Sequence, residues 1–164
     1  MTHTHAAETR CPERLRAART CYDHLAGRLG VAITDALTAA GDLERDGGDF
    51  RLTAAGRRRL TALGVDVAAA QARPRPLARA RLHWSERRPH LAGALGAALA
   101  RRLLDLGWIA RRPGDRRLEV TARGAAGLER AFGLRADPYA ISTSVRPKSS
   151  PLNRSAAPLD LAQA

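Results

Sequence analysis

Two ten-residue segments of the chain are nearly identical and lie 66 positions apart. Residues 24–33 read HLAGRLGVAI, and residues 90–99 read HLAGALGAAL. A second pair of matching segments follows in the same order, LTAAG at 52–56 and VTARG at 120–124. Collinear matches are typical of an internal repeat, whereas chance similarity between two Ala- and Leu-rich helices would not extend to a second block. We therefore expect the chain to fold as two similar units.

Each copy of the repeat predicts a helix, a hairpin and a second helix. Large apolar residues recur every fourth position in both copies, which predicts one apolar helix face. These residues are Leu25, Leu29, Ile33 and Leu37, and Leu91, Leu95, Leu99 and Leu103. Gly-Asp pairs predict the hairpin turns, and Thr53 and Thr121 are suitable N-caps for the last helices. We predict an α+β, helix-rich fold of two tandem winged-helix-like units related by internal duplication.

Composition divides the chain into five segments. Residues 1–11 and 137–164 contain few large apolar residues and are predicted to be disordered tails. The two winged-helix-like units are expected at 12–66 and 79–136. Between them, residues 67–78 include two prolines and are predicted to form a connector.

The charge and the missing motifs restrict the function. A net charge of +12, from 28 basic and 16 acidic residues, favours a polyanionic partner such as nucleic acid. No segment reaches the roughly 18 apolar residues of a membrane helix, so no membrane partner is expected. Two cysteines are too few for a disulfide scaffold, which favours the cytoplasm. The sequence contains no phosphate loop, dinucleotide fingerprint, serine elbow or zinc-protease motif, so we expect no enzymatic activity.

Two groups of arginines are candidates for nucleic-acid binding. One begins the last helix of the first unit, and the other flanks the hairpin of the second unit. They are Arg57, Arg58 and Arg59, and Arg111, Arg112, Arg116 and Arg117. The helices before the hairpins carry few side chains suited to reading bases, so we expect phosphate contacts that weaken steeply with salt. The alternative is that both groups are solvated faces.

The candidate metal ligands are Cys21, His24, His83 and His90. The repeat makes His24 equivalent to His90, and an alignment of the preceding strands makes Cys21 equivalent to His83. A Cys-x2-His spacing is common in metal half-sites, and a Cys-His3 set suits zinc or a similar transition-metal ion. The alternative is that His24 and His90 cap or begin helices and that Cys21 is a small core residue.

Three segments resemble the C-terminal half of a subgroup of ArsR-family bacterial transcriptional regulators. They are ARTCYDHLAG at 18–27, FRLTAAG at 50–56 and WSERRPHLAG at 84–93, and the resemblance extends over residues 12–134. Regulators of this type carry a separate DNA-binding winged helix ahead of this region, which we expect this chain to lack. The chain also departs from the family pattern at His83, where an imidazole stands in place of a thiol.

The resemblance implies a homodimer with a role in transcription regulation. We expect the chain to be the effector-sensing and dimerisation part of an ArsR-like winged-helix regulator, with DNA as the partner of the regulator. The alternative is a small nucleic-acid-binding module that acts through arginine-rich wings. Binding of random duplex DNA over a series of salt concentrations would separate these two functions.

Overall fold

A computed structural model describes residues 18–21, 23–83, 86–114 and 117–135 of the chain. The two predicted tails lie outside these residues. The described part contains five helices and four two-stranded antiparallel sheets, which confirms the predicted α+β fold class. In chain order the elements are β1 (Arg19–Cys21), β2 (His24–Ala26), α1 (Gly27–Ala39), β3 (Leu43–Asp46), β4 (Asp49–Leu52), α2 (Ala54–Ala62), α3 (Val67–Gln71), β5 (Arg79–His83), β6 (Arg88–Ala92), α4 (Gly93–Asp105), β7 (Ile109–Arg111), β8 (Leu118–Val120) and α5 (Ala122–Phe132).

The same order of elements occurs twice. A hairpin, a helix, a second hairpin and a second helix make up the first half, from β1 to α2, and again the second half, from β5 to α5. The side chain of Thr53 accepts a hydrogen bond from the backbone N–H of Gly56 at 3.0 Å, and Thr121 accepts one from Gly124 at 2.9 Å. The predicted N-caps of α2 and α5 are therefore confirmed, at the same place in each half.

Helices α1 and α4 begin later than the leucine spacing predicts. Strands β2 and β6 occupy the first residues of the predicted helices, which start instead at Gly27 and Gly93. Both glycines have a left-handed φ, +74° and +79°, and glycine adopts this conformation at low cost where a strand turns into a helix. The interpretation in which His24 and His90 begin or cap helices is therefore wrong, because both residues lie in strands.

The segment predicted to be a connector, residues 67–78, contains structure of its own. Helix α3 is capped by Asp66, whose carboxylate accepts a hydrogen bond from the backbone of that helix at 2.8 Å. Farther along, the carbonyl of Pro76 accepts a hydrogen bond from the N–H of Ala94 at 3.1 Å. The first N–H groups of a helix have no hydrogen-bond partner within the helix. The connector segment therefore supplies a carbonyl acceptor for one N–H group in the first turn of α4.

The two halves pack reciprocally against each other. Helix α1 packs against β6 of the second half, and helix α4 packs against β2 of the first half. The N–H of Phe50 donates to the carbonyl of Ala78 at 2.9 Å, and the N–H of Leu118 donates to the carbonyl of Ala18 at 3.4 Å. The leucines of both helices consequently share one buried core. We call the region formed by β2, β6, α1 and α4 the joint.

In each half, a glycine of the last helix packs directly against the backbone of the residue that precedes the second hairpin of that half. A Cβ atom on Gly56 would lie 2.2 Å from the carbonyl oxygen of Asp42, and one on Gly124 would lie 1.8 Å from that of Trp108. These distances are far below van der Waals contact, so both approaches require a residue without a side chain. The backbone geometry of the two halves therefore agrees at this contact as well.

Candidate metal centre

The first hairpin places two candidate ligands opposite each other. Cys21 in β1 and His24 in β2 are directly opposed Cα partners. Side chains of opposed residues in an antiparallel pair lie on the same face of the hairpin. That face is turned toward the joint, since His24 is only 4% exposed. Cys21 is half-buried and is a free thiol.

His90 in β6 joins these two residues from the second half of the chain. Its Nε2 atom lies 3.1 Å from the Nε2 atom of His24, and the two stacked rings have centroids 5.1 Å apart. One ligating atom from each of Cys21, His24 and His90 lies within 4.8 Å of the other two. We call these three residues the ligand cluster.

The spacing within the ligand cluster suits a tetrahedral metal ion. With Zn–N bonds of about 2.0–2.1 Å, two ligating nitrogens are separated by about 3.3 Å, close to the 3.1 Å between the two Nε2 atoms. Thiolate and imidazole are the donors that zinc and similar borderline ions prefer. The three donor atoms, which lie within 4.8 Å of one another, would have to come closer together to reach bonding distance of one point.

His83, the fourth predicted ligand, lies beside the ligand cluster but not in it. It is the last residue of β5 and is buried, with its ring edge-on to that of His90 at a centroid distance of 5.9 Å. Its Nδ1 atom accepts a hydrogen bond from the backbone N–H of Glu86 at 3.3 Å. The structure therefore brings three of the four predicted ligands together.

The strand register explains why Cys21 and His83 are not equivalent. In the second half, the residue opposite His90 is Arg81, and His83 lies nearer the hairpin loop. Two residues separate Cys21 from His24, whereas eight separate Arg81 from His90, so this hairpin is longer by six residues. The equivalent of Cys21 is Arg81, and the predicted equivalence of Cys21 and His83 is wrong.

Asp23 contacts the side of the His24 ring that faces away from His90. Its Oδ1 atom lies 3.5 Å from Nδ1 of His24, and its Oδ2 atom accepts a hydrogen bond from Arg75 at 2.8 Å. Burial raises the pKa of Asp23, but the hydrogen bond and charge of Arg75, together with His24, outweigh burial and lower it. A carboxylate is a frequent second partner of metal-ligating histidines. The motif search missed Asp23, although its place directly before a candidate ligand was a signal.

The surroundings of His24 favour its neutral form. Burial lowers its pKa, the carboxylate of Asp23 raises it, and the charges of Arg81 and Arg75 lower it, so the pKa lies below its ordinary value. A metal ion requires the free lone pair of a neutral imidazole. The neutral form also fits the contact with His90, in which one Nε2 atom donates a hydrogen bond and the other accepts it.

A cavity of about 530 Å³ opens beside His24. Its lining includes Arg75, Arg79 and Arg81 together with Asp23, which pairs with Arg75, so the charged groups of the lining are mostly cationic. The cavity connects His24 with the surface, because Arg79 and Arg81 are exposed. A small anionic ligand would have access to the ligand cluster by this route.

The first group of predicted nucleic-acid-binding arginines is largely engaged within the protein. Arg57 donates a hydrogen bond to a glutamine side chain of α3 at 2.6 Å. Arg59 pairs with Asp42 and donates to the carbonyl of Ala131 in the second half. Arg59 therefore connects the two halves, while Arg58 is exposed.

The second group of arginines is divided in a similar way. Arg112 pairs with a glutamate of β8 across the hairpin, and Arg117 is partly buried. Arg111 is exposed, and Arg116 lies outside the described residues. Arg58 and Arg111 are thus the two exposed members for which the structure describes neither an ion pair nor a side-chain hydrogen bond with another described residue.

The fold and the site define an α+β protein with two matching hairpin–helix halves and a Cys/His cluster at their joint. The chain is similar to a protein of Bacillus subtilis (strain 168) named Uncharacterized HTH-type transcriptional regulator YdfF, with 38% identity over 128 residues. The match covers 78% of this chain and 57% of the relative, so the chain spans little more than half the length of that curated protein. No protein-family model and no solved structure matches the chain. Among the described helices, none is long and apolar enough to cross a membrane.

Proposed function

We propose that the chain is the effector-sensing and dimerisation part of an ArsR-like transcriptional regulator. The observation that carries this proposal is the 38% identity over 128 residues to an HTH-type transcriptional regulator. In this role the chain is a cytoplasmic, non-enzymatic homodimer, and DNA is the partner of the regulator as a whole.

The proposal includes two tandem winged-helix-like units that arose by internal duplication. The repeated order of hairpins and helices supports it. Further support comes from the equivalent caps at Thr53 and Thr121 and the equivalent close approaches at Gly56 and Gly124. Such agreement in capping and backbone contact is expected of two copies of one ancestral sequence.

Sensing is supported by the chemistry of the joint. Burying a polar group costs free energy unless it is hydrogen-bonded, so two apolar halves gain nothing from histidines between them. The joint nevertheless buries His24 and His90, and the arginine-lined cavity opens beside His24. A ligand bound there would contact both halves, and it would favour whichever arrangement of the halves it binds more tightly.

Two measurements on the purified chain test this function. Sedimentation should show a dimer at micromolar concentrations. Selection from a library of random DNA duplexes should enrich no sequence, because the helices before the hairpins carry few base-reading side chains. A monomer at every concentration would contradict the dimerisation role, and enrichment of a defined motif would contradict a sensing part that does not read DNA.

A second candidate function is a nucleic-acid-binding module that acts through phosphate contacts. The exposed side chains of Arg58 and Arg111 and the net charge of +12 favour it. The test variant replaces the second arginine group with alanine, at Arg111, Arg112, Arg116 and Arg117. Its affinity for random duplex DNA should fall, and the slope of affinity against salt should decrease by about one for each lost phosphate contact. Sequence preference should not change, because phosphate contacts do not read bases.

A matched control removes the same charge elsewhere. Four other exposed arginines are replaced with alanine: Arg73, Arg101, Arg123 and Arg130. If the arginine-rich wings bind DNA, the control variant keeps most of its affinity while the test variant does not. Equal losses in both variants, or an unchanged slope in the test variant, would exclude the wings as the binding surface.

A further inference from the structure

We propose that Cys21, His24 and His90 bind one divalent transition-metal ion of borderline character, such as zinc, and that this ion links the two halves of the chain. The inference deepens the proposed function, because it names the ligand of the sensing joint. Its regulatory meaning rests on that function, whereas metal binding itself does not.

The ligand cluster is built on strands and not on flexible loops. Cys21 and His24 are fixed as opposed residues of one hairpin, and His90 is fixed on β6 of the other half. The two imidazole nitrogens are already separated by 3.1 Å, within a few tenths of an ångström of the separation in a tetrahedral site. The three ligating atoms lie within 4.8 Å of one another. Because the two nitrogens are already close to their expected separation, the half-buried Cys21 side chain is the part of the cluster that would have to move toward the ion.

A hydrogen bond between two histidines would explain the 3.1 Å distance, but it would not explain the surroundings of the pair. A thiol stands directly opposite His24, and a carboxylate approaches the Nδ1 atom of the same ring. A carboxylate behind a histidine fixes the ring so that the Nε2 lone pair points toward a metal ion. Arg75 donates a hydrogen bond to Asp23 and so fixes the carboxylate. The carboxylate in turn fixes the orientation of the His24 ring.

Binding would use the two Nε2 lone pairs and the Cys21 thiolate. The Nε2 proton of the histidine hydrogen bond would move to the Nδ1 atom of its own ring, and the thiol proton would be released to solvent. Three protein ligands leave the fourth tetrahedral position for water or for a small ligand. The arginine-lined cavity opens at His24 and can supply either. The ion would connect His24 of the first half with His90 of the second half, and it would therefore stabilise the packing of the two halves at the joint.

Titration of the reduced full chain with cobalt(II), in competition with a chelator, tests the proposal. The expected result is one ion per chain and a thiolate-to-cobalt charge-transfer band. In Cys21→Ser the band should vanish and the affinity should fall by more than about 100-fold. In Asp23→Asn, which keeps every ligand, the band should remain and the affinity should fall by about 10-fold, the lower end of the usual effect of such partners.

Two further variants serve as controls. Cys11→Ser removes the other thiol of the chain, which lies outside the described residues, and should keep the band and the affinity. His83→Gln removes the neighbouring imidazole and should keep the stoichiometry and the band. Loss of the band in Cys11→Ser, loss of the ion in a folded His83→Gln, or an unchanged spectrum in Cys21→Ser would overturn the proposed ligand set.

Circular dichroism of each variant separates a lost ligand from a lost fold. Cys21 is half-buried and serine is close to cysteine in size, so Cys21→Ser should stay folded even if variants at the buried histidines do not. The cobalt titration does not depend on dimerisation, and sedimentation does not depend on cobalt. A failure of metal binding and a failure of the proposed function can therefore be distinguished.

Discussion

The hairpins β1–β2 and β5–β6 hold equivalent histidines, His24 and His90, on equivalent strands. The residue opposite the histidine is a half-buried thiol, Cys21, in the first hairpin and an exposed guanidinium, Arg81, in the other. The two similar hairpins thus supply the positions, and the single residue opposite each histidine decides the chemistry. An ion at the joint would take two ligands from one half and one from the other.

Helices α1 and α4 also occupy equivalent places in the two halves and differ in one residue that contacts the opposite half. The hydroxyl of Thr34 in α1 accepts a hydrogen bond from the backbone N–H of Leu91 and donates one to the carbonyl of Gly30, both at 2.8 Å. The matching residue of α4, 66 positions later, is Ala100. The polar contact between the helix and the opposite hairpin is therefore made from the first half.

The largest losses of stability are expected where Gly56 and Gly124 pack against the backbone, because both halves make this close contact. Gly56→Ala and Gly124→Ala should each destabilise the protein by about 3 kcal/mol or more, because the new methyl group would overlap a carbonyl oxygen. Gly48→Ala is the matched control, because nothing lies within 4 Å of its Cβ position, and it should change stability by less than about 0.5 kcal/mol. Urea unfolding measures all three, and a tolerated alanine at one of the two sites would show that the halves are not equivalent there.

The difference between the helices is tested by Thr34→Val, which keeps the shape and removes the hydroxyl. The buried N–H of Leu91 would lose its acceptor, so the free energy of unfolding should fall by about 1–3 kcal/mol. Thr38→Val removes an exposed hydroxyl from the same helix and should cost less than about 0.5 kcal/mol. Equal effects of the two variants in urea unfolding would argue against the polar contact.

The environment of His24 predicts a pH dependence in chelator-treated protein. Because burial lowers the pKa of His24 in the folded state, the unfolded chain binds the proton first as the pH falls through 6.5, the ordinary value. The stability contribution is complete above that pH and is lost below it. Urea unfolding between about pH 5 and about pH 8 should show this loss in the natural chain and a smaller loss in His24→Gln. Equal losses in both would assign the effect to other groups.

The smallest change in stability is expected for Arg81→Cys, which makes the second hairpin resemble the first. Arg81 is exposed, so stability should change by less than about 0.5 kcal/mol. A second thiolate opposite His90 would complete a Cys2His2 set, so the cobalt charge-transfer intensity should about double. An unchanged spectrum would show that the second hairpin cannot supply a ligand from this position.

Those parts of the fold that depend on local chemistry were predictable from the sequence. The caps at Thr53 and Thr121 need only a hydroxyl and an N–H three residues farther on, and both are present. The starts of α1 and α4 were not predictable in this way, because His-Leu-Ala fits a strand or a helix. Pairing with β1 and β5 and the positive φ of Gly27 and Gly93 decide the choice.

The candidate site was predictable where it follows the repeat. His24 and His90 occupy the same place in the two matching sequence segments, and the reciprocal packing of the halves brings them together. The same reasoning failed for His83, because the hairpin of the second half is six residues longer and its register is set by strand pairing. Register depends on contacts between strands and core, which composition and spacing do not contain.

The reciprocal pairing of the hairpins also constrains how the protein is made. The carbonyl of Ala18 receives its hydrogen bond from Leu118, about 100 residues later in the chain. At about 5–20 residues per second, a ribosome needs roughly 5–20 s to synthesise that interval. Strand β6 begins 49 residues after the end of α1, so for roughly half of this time the apolar face of α1 has no β6 to cover it. The nascent first half must therefore be shielded from other chains, or remain unfolded, until the second half has left the ribosome.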